Sequence, residues 1–322
     1  MTLQRKAAPD SRALTRSGAG AAPRRPLRVR FSRWVKGGGI WAIVFGAPLL
    51  IIFGYFAWGP IISGVVLSLQ KTNFLTTTWV GWSNFEFVLT DPVLPKAVGN
   101  TLLFTAISLL IGAPLPLALA VVMAELRRRK GLYSALAYLP VVIPPVVGIL
   151  LWKVMYLPGK EGLLNSILGS VGLGPFAWLN SEQMVIPSMV VASTWAGAGT
   201  AVIIYLAALG GVRPELYEAA ELDGAGVWRR IWHVTLPQIR GIVLILLLLQ
   251  IIGTLQVFNE PKLLTGGGPN NASITILMVI YQYGFVNSNY GAAAALSVML
   301  ALALALISVA YQFATRRWSD ND

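Results

Sequence analysis

Six stretches of this chain are apolar over about the 20 residues that a helix needs to cross the hydrocarbon core of a bilayer. They are Ile40–Leu69, Thr101–Met123, Leu136–Tyr156, Met184–Leu209, Ile242–Phe258 and Ala292–Phe313. Hydrocarbon offers the backbone no water to bond, so such segments must be helices that satisfy their own N–H and C=O groups. The expected fold class is an all-α integral membrane protein with six transmembrane helices. With 56% hydrophobic residues, 12% charged residues and a mean hydropathy of +0.67, the chain needs a bilayer as its main solvent. A seventh run, Ile274–Phe285, is too short to cross and reads as a helix lying at the outer surface. Pro114, Pro116, Pro140, Pro144 and Pro145 fall at membrane depth and free carbonyls that need partners inside a bundle, so kinks are expected.

Residues 1–39 mix Arg, Ala, Gly, Pro and Ser without apolar periodicity and read as a disordered basic tail. Arg24-Arg25 could belong to a twin-arginine signal. The apolar run that follows is too long for a signal core and has no small-residue cleavage site, which favours an uncleaved first span. The remaining segmentation is a first helix with its outer loop over 40–95, a transmembrane core over 96–313 that includes a loop at 210–240, and a tail at 314–322.

The net charge of +12 could suggest a nucleic-acid partner, but the basic residues flank apolar runs and form no aromatic-interleaved face. They report topology instead. Of the 25 Lys and Arg, all but Lys71, Lys96, Lys153, Lys160 and Lys262 fall in the two tails, the loop after the second span and the loop after the fourth. The positive-inside rule then puts both termini in the cytoplasm of a multi-pass protein.

Catalytic chemistry has little to work with. Cys is absent and His occurs once, at His233, so neither a thiolate nor a multi-histidine metal site can be assembled. The acidic residues are scattered through loops, and no catalytic or metal residue is assigned. Gly159-Lys160 resembles the end of a phosphate loop, yet Val154 stands where the earlier Gly belongs and Glu161 where Ser or Thr belongs. No ATP site and no cofactor of the chain's own is expected.

The loop between spans four and five carries the most information. Pro214 can open a helix, Glu215 and Glu218 favour its positive end, and Gly224 can supply the left-handed residue that ends it. Val227, Trp228, Ile231 and Trp232 then outline a second short helix through His233, with Pro237 starting the fifth span. Two short helices joined at a Gly make a compact knob on the cytoplasmic side.

Glu218-Ala219-Ala220, Gly224 after three residues, Val234 and Leu236-Pro237 resemble the EAA loop of ABC importer permeases. That pattern is EAA, three residues, Gly, nine residues, an apolar position, one residue, then Leu-Pro; Val234 replaces the usual Ile. Trp82-Ser83-Asn84-Phe85, Asp91-Pro92, Asn100-Thr101 and Leu264-Thr265-Gly266-Gly267-Gly268-Pro269 resemble the carbohydrate-uptake group, of the maltose-transporter large-permease kind. The resemblance runs from about residue 40 to 313 and implies the type I importer permease fold. It also implies function: a permease subunit of an ATP-driven importer that moves a sugar or related polyol into a bacterial or archaeal cell by alternating access. Glu218, Ala219, Ala220, Asp223, Gly224, Leu236 and Pro237 would couple the chain to one of two cytoplasmic ATPase subunits, which bind the ATP. A second permease subunit, an extracytoplasmic sugar-binding protein and the lipid bilayer complete the implied partners.

Polar residues at membrane depth mark a substrate path, since leaving them unpaired in hydrocarbon costs about 1–3 kcal/mol or more each. Ser193, Gly197, Thr200, Gln250 and Thr254 fall at the family's sugar-contacting positions when the chain is aligned through Leu216-Tyr217-Glu218 and Leu263-Leu264-Thr265. Hydrogen bonding between helices is the bland account of the same residues. Trp195 could stack on a sugar ring or simply pack. An ion-coupled secondary transporter is the alternative, but it would be expected to show a carboxylate near a span centre or a repeat of halves, and Glu125 and Glu260 lie at span ends. A membrane-embedded transferase would need a His or carboxylate constellation.

Overall fold

The computed structural model describes residues 37–73, 75–125 and 130–319 of the chain. Most of the basic tail, the cluster Arg127–Arg129 and residues 320–322 lie outside the described residues. The chain divides into two compact units, Met1–Ile61 and Ile62–Asp322. In order, the elements are α1 (Ile40–Ser68), β1 (Gln70–Thr72), β2 (Thr77–Trp79), α2 (Ser83–Thr90), α3 (Leu94–Ile111), α4 (Pro114–Glu125), α5 (Lys130–Val142) and α6 (Pro145–Met155). There follow α7 (Leu163–Gly169), α8 (Val185–Gly210), α9 (Pro214–Leu222), α10 (Val227–Arg230), α11 (Leu236–Leu255), α12 (Asn259–Leu264), α13 (Ile276–Tyr281) and α14 (Tyr290–Ser319). Five runs are long and apolar enough to cross a bilayer: α1, Leu94–Ala124, α8, Val227–Leu264 and Tyr290–Arg316; the bent pair α5–α6 makes a sixth.

In the first unit, Phe45, Leu50, Tyr55 and Phe56 are all more than two-thirds exposed, and no residue of the span's most apolar window is buried. Such a surface has hydrocarbon as its natural cover. A wide π turn at Gly54–Trp58 precedes Pro60, and a second at Ile231–Thr235 precedes Pro237. Proline lacks the N–H for its i−4 carbonyl and its ring crowds that carbonyl, so widening the turn ahead of it lets the helix run on.

The kink expected in span three is present: α5 and the following helix meet at 94°, because Pro144 sits in an extended conformation and Pro145 opens α6. Two expected details change. Span five does not begin at Pro237. The helix starts at Val227, runs through the π turn and continues as α11, so the second short helix and the span are one element. The short run near Ile276–Val286 does not simply lie on a surface, since Met278, Val279 and Tyr283 are buried among α2, α3 and α14.

Within the second unit three apolar clusters follow one another along the spans. Val88, Leu94, Ala97, Met278 and Ala292 form the one beside the hairpin; Phe104, Ile186, Met189 and Val257 form the next; Ala120, Val202, Tyr205 and Ile239 form the last. Small residues set the closest approaches. A Cβ on Gly199 would collide with the Ala137 carbonyl, which puts the α8 and α5 backbones in direct contact. A Cβ on Gly291 would collide with the Gln70 carbonyl.

Side chains bonded to backbone fasten the hairpin end. Asn84 Nδ2 donates to the carbonyls of Ser68 and Gln70, both at 2.9 Å. Lys96 Nζ donates to Asn270 O (2.9 Å), Asn100 Nδ2 to Asn271 O and Ile274 O (2.8 and 2.9 Å), and Lys153 Nζ to Leu263 O (3.1 Å). Thr101 Oγ1 accepts the Ile276 N–H at 3.1 Å, and the Tyr283 hydroxyl donates to Asp91 Oδ2. Asn84, Asp91, Asn100 and Thr101, from the stretches singled out in the sequence, thus each anchor a distant segment at this end.

Candidate functional site

The break between α3 and α4 creates a polar cavity. Pro114 and Pro116 cannot bond the carbonyls one turn back, so α3 stops at Ile111 and α4 restarts on Pro114, whose missing N–H costs nothing at a helix start. At the break the Ser108 carbonyl accepts the Gly112 N–H and Gln250 Nε2, each at 2.7 Å. Only Gly fits at 112, since a Cβ there would lie 2.7 Å from Gln250 Nε2 and 3.1 Å from Thr194 Oγ1. The cavity beside this joint holds about 620 Å³ and is walled by α3, α4, α8 and the α11–α12 segment.

Of the expected path residues, Ser193, Gly197, Gln250 and Thr254 line it. Thr200 does not; it is exposed on α8. Ser193 Oγ donates to Val190 O at 3.1 Å and Thr254 Oγ1 to Gln250 O at 2.8 Å, so both hydroxyl protons are held within their own helices. Ser108 also lines the cavity, and its hydroxyl is buried without a protein partner. Trp195 packs edge-on against Trp152, ring centroids 5.8 Å apart, away from the cavity lining.

Thr194, a polar residue at membrane depth that the sequence also offers, lines the cavity as well; sequence reasoning missed Ser108, Gln256, Asn259 and Glu260, all of which line it. Glu260 lies in the first turn of α12, near the end of the helical run Val227–Leu264, as its span-end position in the sequence implies. The Gly112-Ala113-Pro114 break was the one signal that could have drawn attention to Ser108.

A second feature is the knob formed by α9 and α10. Pro214 occupies the first turn of α9 and Glu215 follows it, as the positive end of a helix favours. Gly224 has φ +73°, the Gly224 N–H donates to Glu221 O at 3.0 Å and the Ala225 N–H to Ala220 O at 2.9 Å. That is the paired arrangement of a Schellman ending, and Ala220 supplies its carbonyl. Tyr217 OH and Thr235 Oγ1 lie 3.2 Å apart, and Arg230 pairs with Glu221 at 3.7 Å, which ties α9 to the π turn. Glu218, Ala219 and Asp223 are exposed, Ala220 and Leu236 half-buried and Pro237 exposed. Leu222 (90% exposed), Trp228 (75%) and Trp232 (64%) present apolar surface around them. Apolar groups so exposed on a polar knob mark a contact surface.

Residues 112–320 match the family of binding-protein-dependent transport system inner membrane components. The chain belongs to that family. It is 34% identical over 256 residues to a probable ABC transporter permease protein of Bacillus subtilis, YurN, covering 78% of this chain and 87% of that one. It is 31% identical over 254 residues to the B. subtilis arabinooligosaccharides transport system permease protein AraP, covering 78% and 81%. Among solved structures it is similar to a chain of a bacterial ABC transporter involved in the import of the acidic polysaccharide alginate, with TM-score 0.78, 27% identity, and coverage of 89% of this chain and 99% of that one. The permease is therefore a multi-pass membrane subunit with the type I ABC importer fold. Its knob carries the family's loop pattern, and its cavity sits at the break in its second span.

Proposed function

We propose that this permease imports a saccharide, with the cavity as its half of the path and the knob as its coupling to ATP hydrolysis. The cavity carries the reading: about 620 Å³ at membrane depth, walled by hydroxyl and amide groups of Ser108, Ser193, Thr194, Gln250, Thr254 and Gln256. Groups of this kind in hydrocarbon need a polar occupant, and a hydroxyl-rich ring is a matching one. The relatives' names agree in kind, since they include transport of arabinooligosaccharides, lactose and alginate.

A second permease subunit closes the cavity, two ATPase subunits bind the ATP, and an extracytoplasmic sugar-binding protein delivers cargo at the hairpin end. Glu218, Ala219, Ala220, Asp223, Gly224, Leu236 and Pro237 form the seat for one ATPase subunit, with Leu222, Trp228 and Trp232 as its apolar contacts. ATP-driven closure of the ATPases moves α9, and the Tyr217–Thr235 and Arg230–Glu221 links pass that motion into the fifth span. In this orientation both termini face the cytoplasm of a bacterial or archaeal cell, and the permease has no ATPase site of its own.

Two experiments test the reading. The chain has no native Cys, so single cysteines are informative. Gln183→Cys, near the hairpin end, should react with an impermeant thiol reagent from outside and Gly226→Cys should not; the opposite result overturns the orientation. Proteoliposomes holding the full complex should take up labelled arabinooligosaccharide, lactose or maltose only with ATP inside. Uptake driven by an ion gradient without ATP would defeat it.

A further inference from the structure

We infer that this permease selects cargo by charge: its cavity accepts neutral and amino sugars and rejects uronates, with Glu260 as the selecting residue. The inference rests on the saccharide path proposed above. Its ground is the charge of the lining, a carboxyl group with no cation beside it. The single hydroxyl protons of Ser193 and Thr254 are committed to Val190 O and Gln250 O, so these side chains offer the cavity only lone pairs. Gln250 and Gln256 each spend one amide N–H on a backbone carbonyl, Ser108 O at 2.7 Å and Ile252 O at 3.1 Å, and keep a second N–H and a carbonyl oxygen for a ligand. Glu260 adds a carboxyl group to the same wall.

No cation in the described lining offsets that carboxyl group. No Lys, Arg or His lines the cavity. Two lysines on neighbouring segments are engaged elsewhere: Lys153 Nζ on Leu263 O, and Lys262 Nζ 4.5 Å above the Tyr281 ring. Sugar hydroxyls can both donate to and accept from these hydroxyl and amide groups, and an ammonium is complementary to the carboxyl group. A carboxylate cargo brings further acceptors and a like charge, and like charges in a partly desolvated space repel strongly. Similarity to a transporter of the acidic polysaccharide alginate would by itself suggest an acidic cargo; the chemistry of this lining argues for the opposite.

The test uses the purified complex of both permeases and both ATPases. Direct contact of three glucose-based disaccharides of one linkage, neutral, glucosamine and glucuronate, is read by saturation-transfer NMR at millimolar concentration without the binding protein. The neutral and glucosamine sugars should give signals that disappear with Gly253→Trp, which fills the cavity from a position with open space beside its Cα. The glucuronate signal should be weaker by about tenfold, and Glu260→Gln should raise it toward that of the neutral sugar. A glucuronate signal equal to the neutral one in the unaltered complex, or a ratio that Glu260→Gln leaves alone, overturns the charge selection while the saccharide path stands. Signals that survive Gly253→Trp, or the absence of any, overturn the path itself and the selection with it.

Discussion

Gly224 offers the sharpest test of how the knob is built, because its constraint is conformational rather than steric. At φ +73° an L side chain strains the backbone by about 1–2 kcal/mol, while a Cβ there would meet nothing within 4 Å. Opposing that strain are the two bonds of the turn, Gly224 N–H to Glu221 O and Ala225 N–H to Ala220 O, each worth about 1 kcal/mol net. Together they hold the turn closed by about 2 kcal/mol, a factor of about 30. Gly224→Ala removes about half of that, leaving the turn mostly formed. Gly224→Val, with its branched Cβ, removes nearly all of it, so that about half the knobs are open at any time. Asn tolerates the left-handed region best after Gly, so Gly224→Asn should behave almost as the unaltered protein. Binding of the ATPase subunits and cargo-stimulated ATP hydrolysis, measured on complexes of verified composition, should follow the order Gly, Asn, Ala, Val. If Asn is as damaging as Val, then side-chain volume against a partner governs the position, and the argument from the turn fails.

Other positions separate packing from cargo contact. Gln250→Ala should lower uptake at limiting sugar by about tenfold and also lower the unfolding temperature of the detergent-solubilised complex, because it removes both a cavity amide and the brace on Ser108 O; lost uptake with unchanged thermal stability would mean that the brace contributes nothing. Thr200→Val, outside the cavity, should change uptake by less than about twofold. Gly199→Ala should impair assembly because its Cβ must displace the Ala137 carbonyl, whereas Gly197→Ala, with open space, should leave the unfolding temperature unchanged or higher; the pair is read by complex yield and thermal scanning. Burial first, and then the Asp91 carboxylate, push the Tyr283 hydroxyl above its usual pKa of 10.0. The raised folded value means that its contribution is complete below pH about 10 and lost above it, as the unfolded tyrosine ionises first. Tyr283→Phe should cost about 1.5–3 kcal/mol near neutral pH and flatten that alkaline decline; an unchanged decline would assign it to another group.

The number of spans, the knob and its Gly turn were legible in the chain because each depends on local physics. Apolar length sets a span, and a left-handed residue after an acidic helix sets a turn. What stayed hidden depends on contacts distant in sequence. Nothing around Ser108 announces that Gln250 would bond its carbonyl, 142 residues away. Glu260 is a span-end acid in sequence and in structure, and nothing local shows that the break after α11 makes this end part of the cavity wall. Pro237 misled for a related reason: proline in a helix normally marks a start or a kink, and the π turn at Ile231–Thr235 provides a third outcome that no sequence period signals. Four of the five path residues fell in the cavity because Ser193 with Gly197, and Gln250 with Thr254, are spaced four apart on one helix face; the lining positions of α8 are Ser193, Thr194, Gly197, Ala198, Ala201 and Tyr205, and Thr200 falls just past the Ser193 edge of that face.

The joints at the hairpin end also govern which substitutions this surface can absorb. Lys96, Asn100 and Lys153 all grip carbonyl oxygens of the main chain at Asn270, Asn271, Ile274 and Leu263. A carbonyl is present whatever the side chain, so the gripping residues and the gripped ones live under different rules. The former can be exchanged only for another donor of equal reach. The latter can drift, apart from the left-handed backbone at Asn270 (φ 47°) and Asn271 (φ 58°) and the burial of Ile274. A loop held in this way can change the face it shows to an approaching protein without moving its backbone, so its recognition can diverge while the scaffold beneath it is preserved.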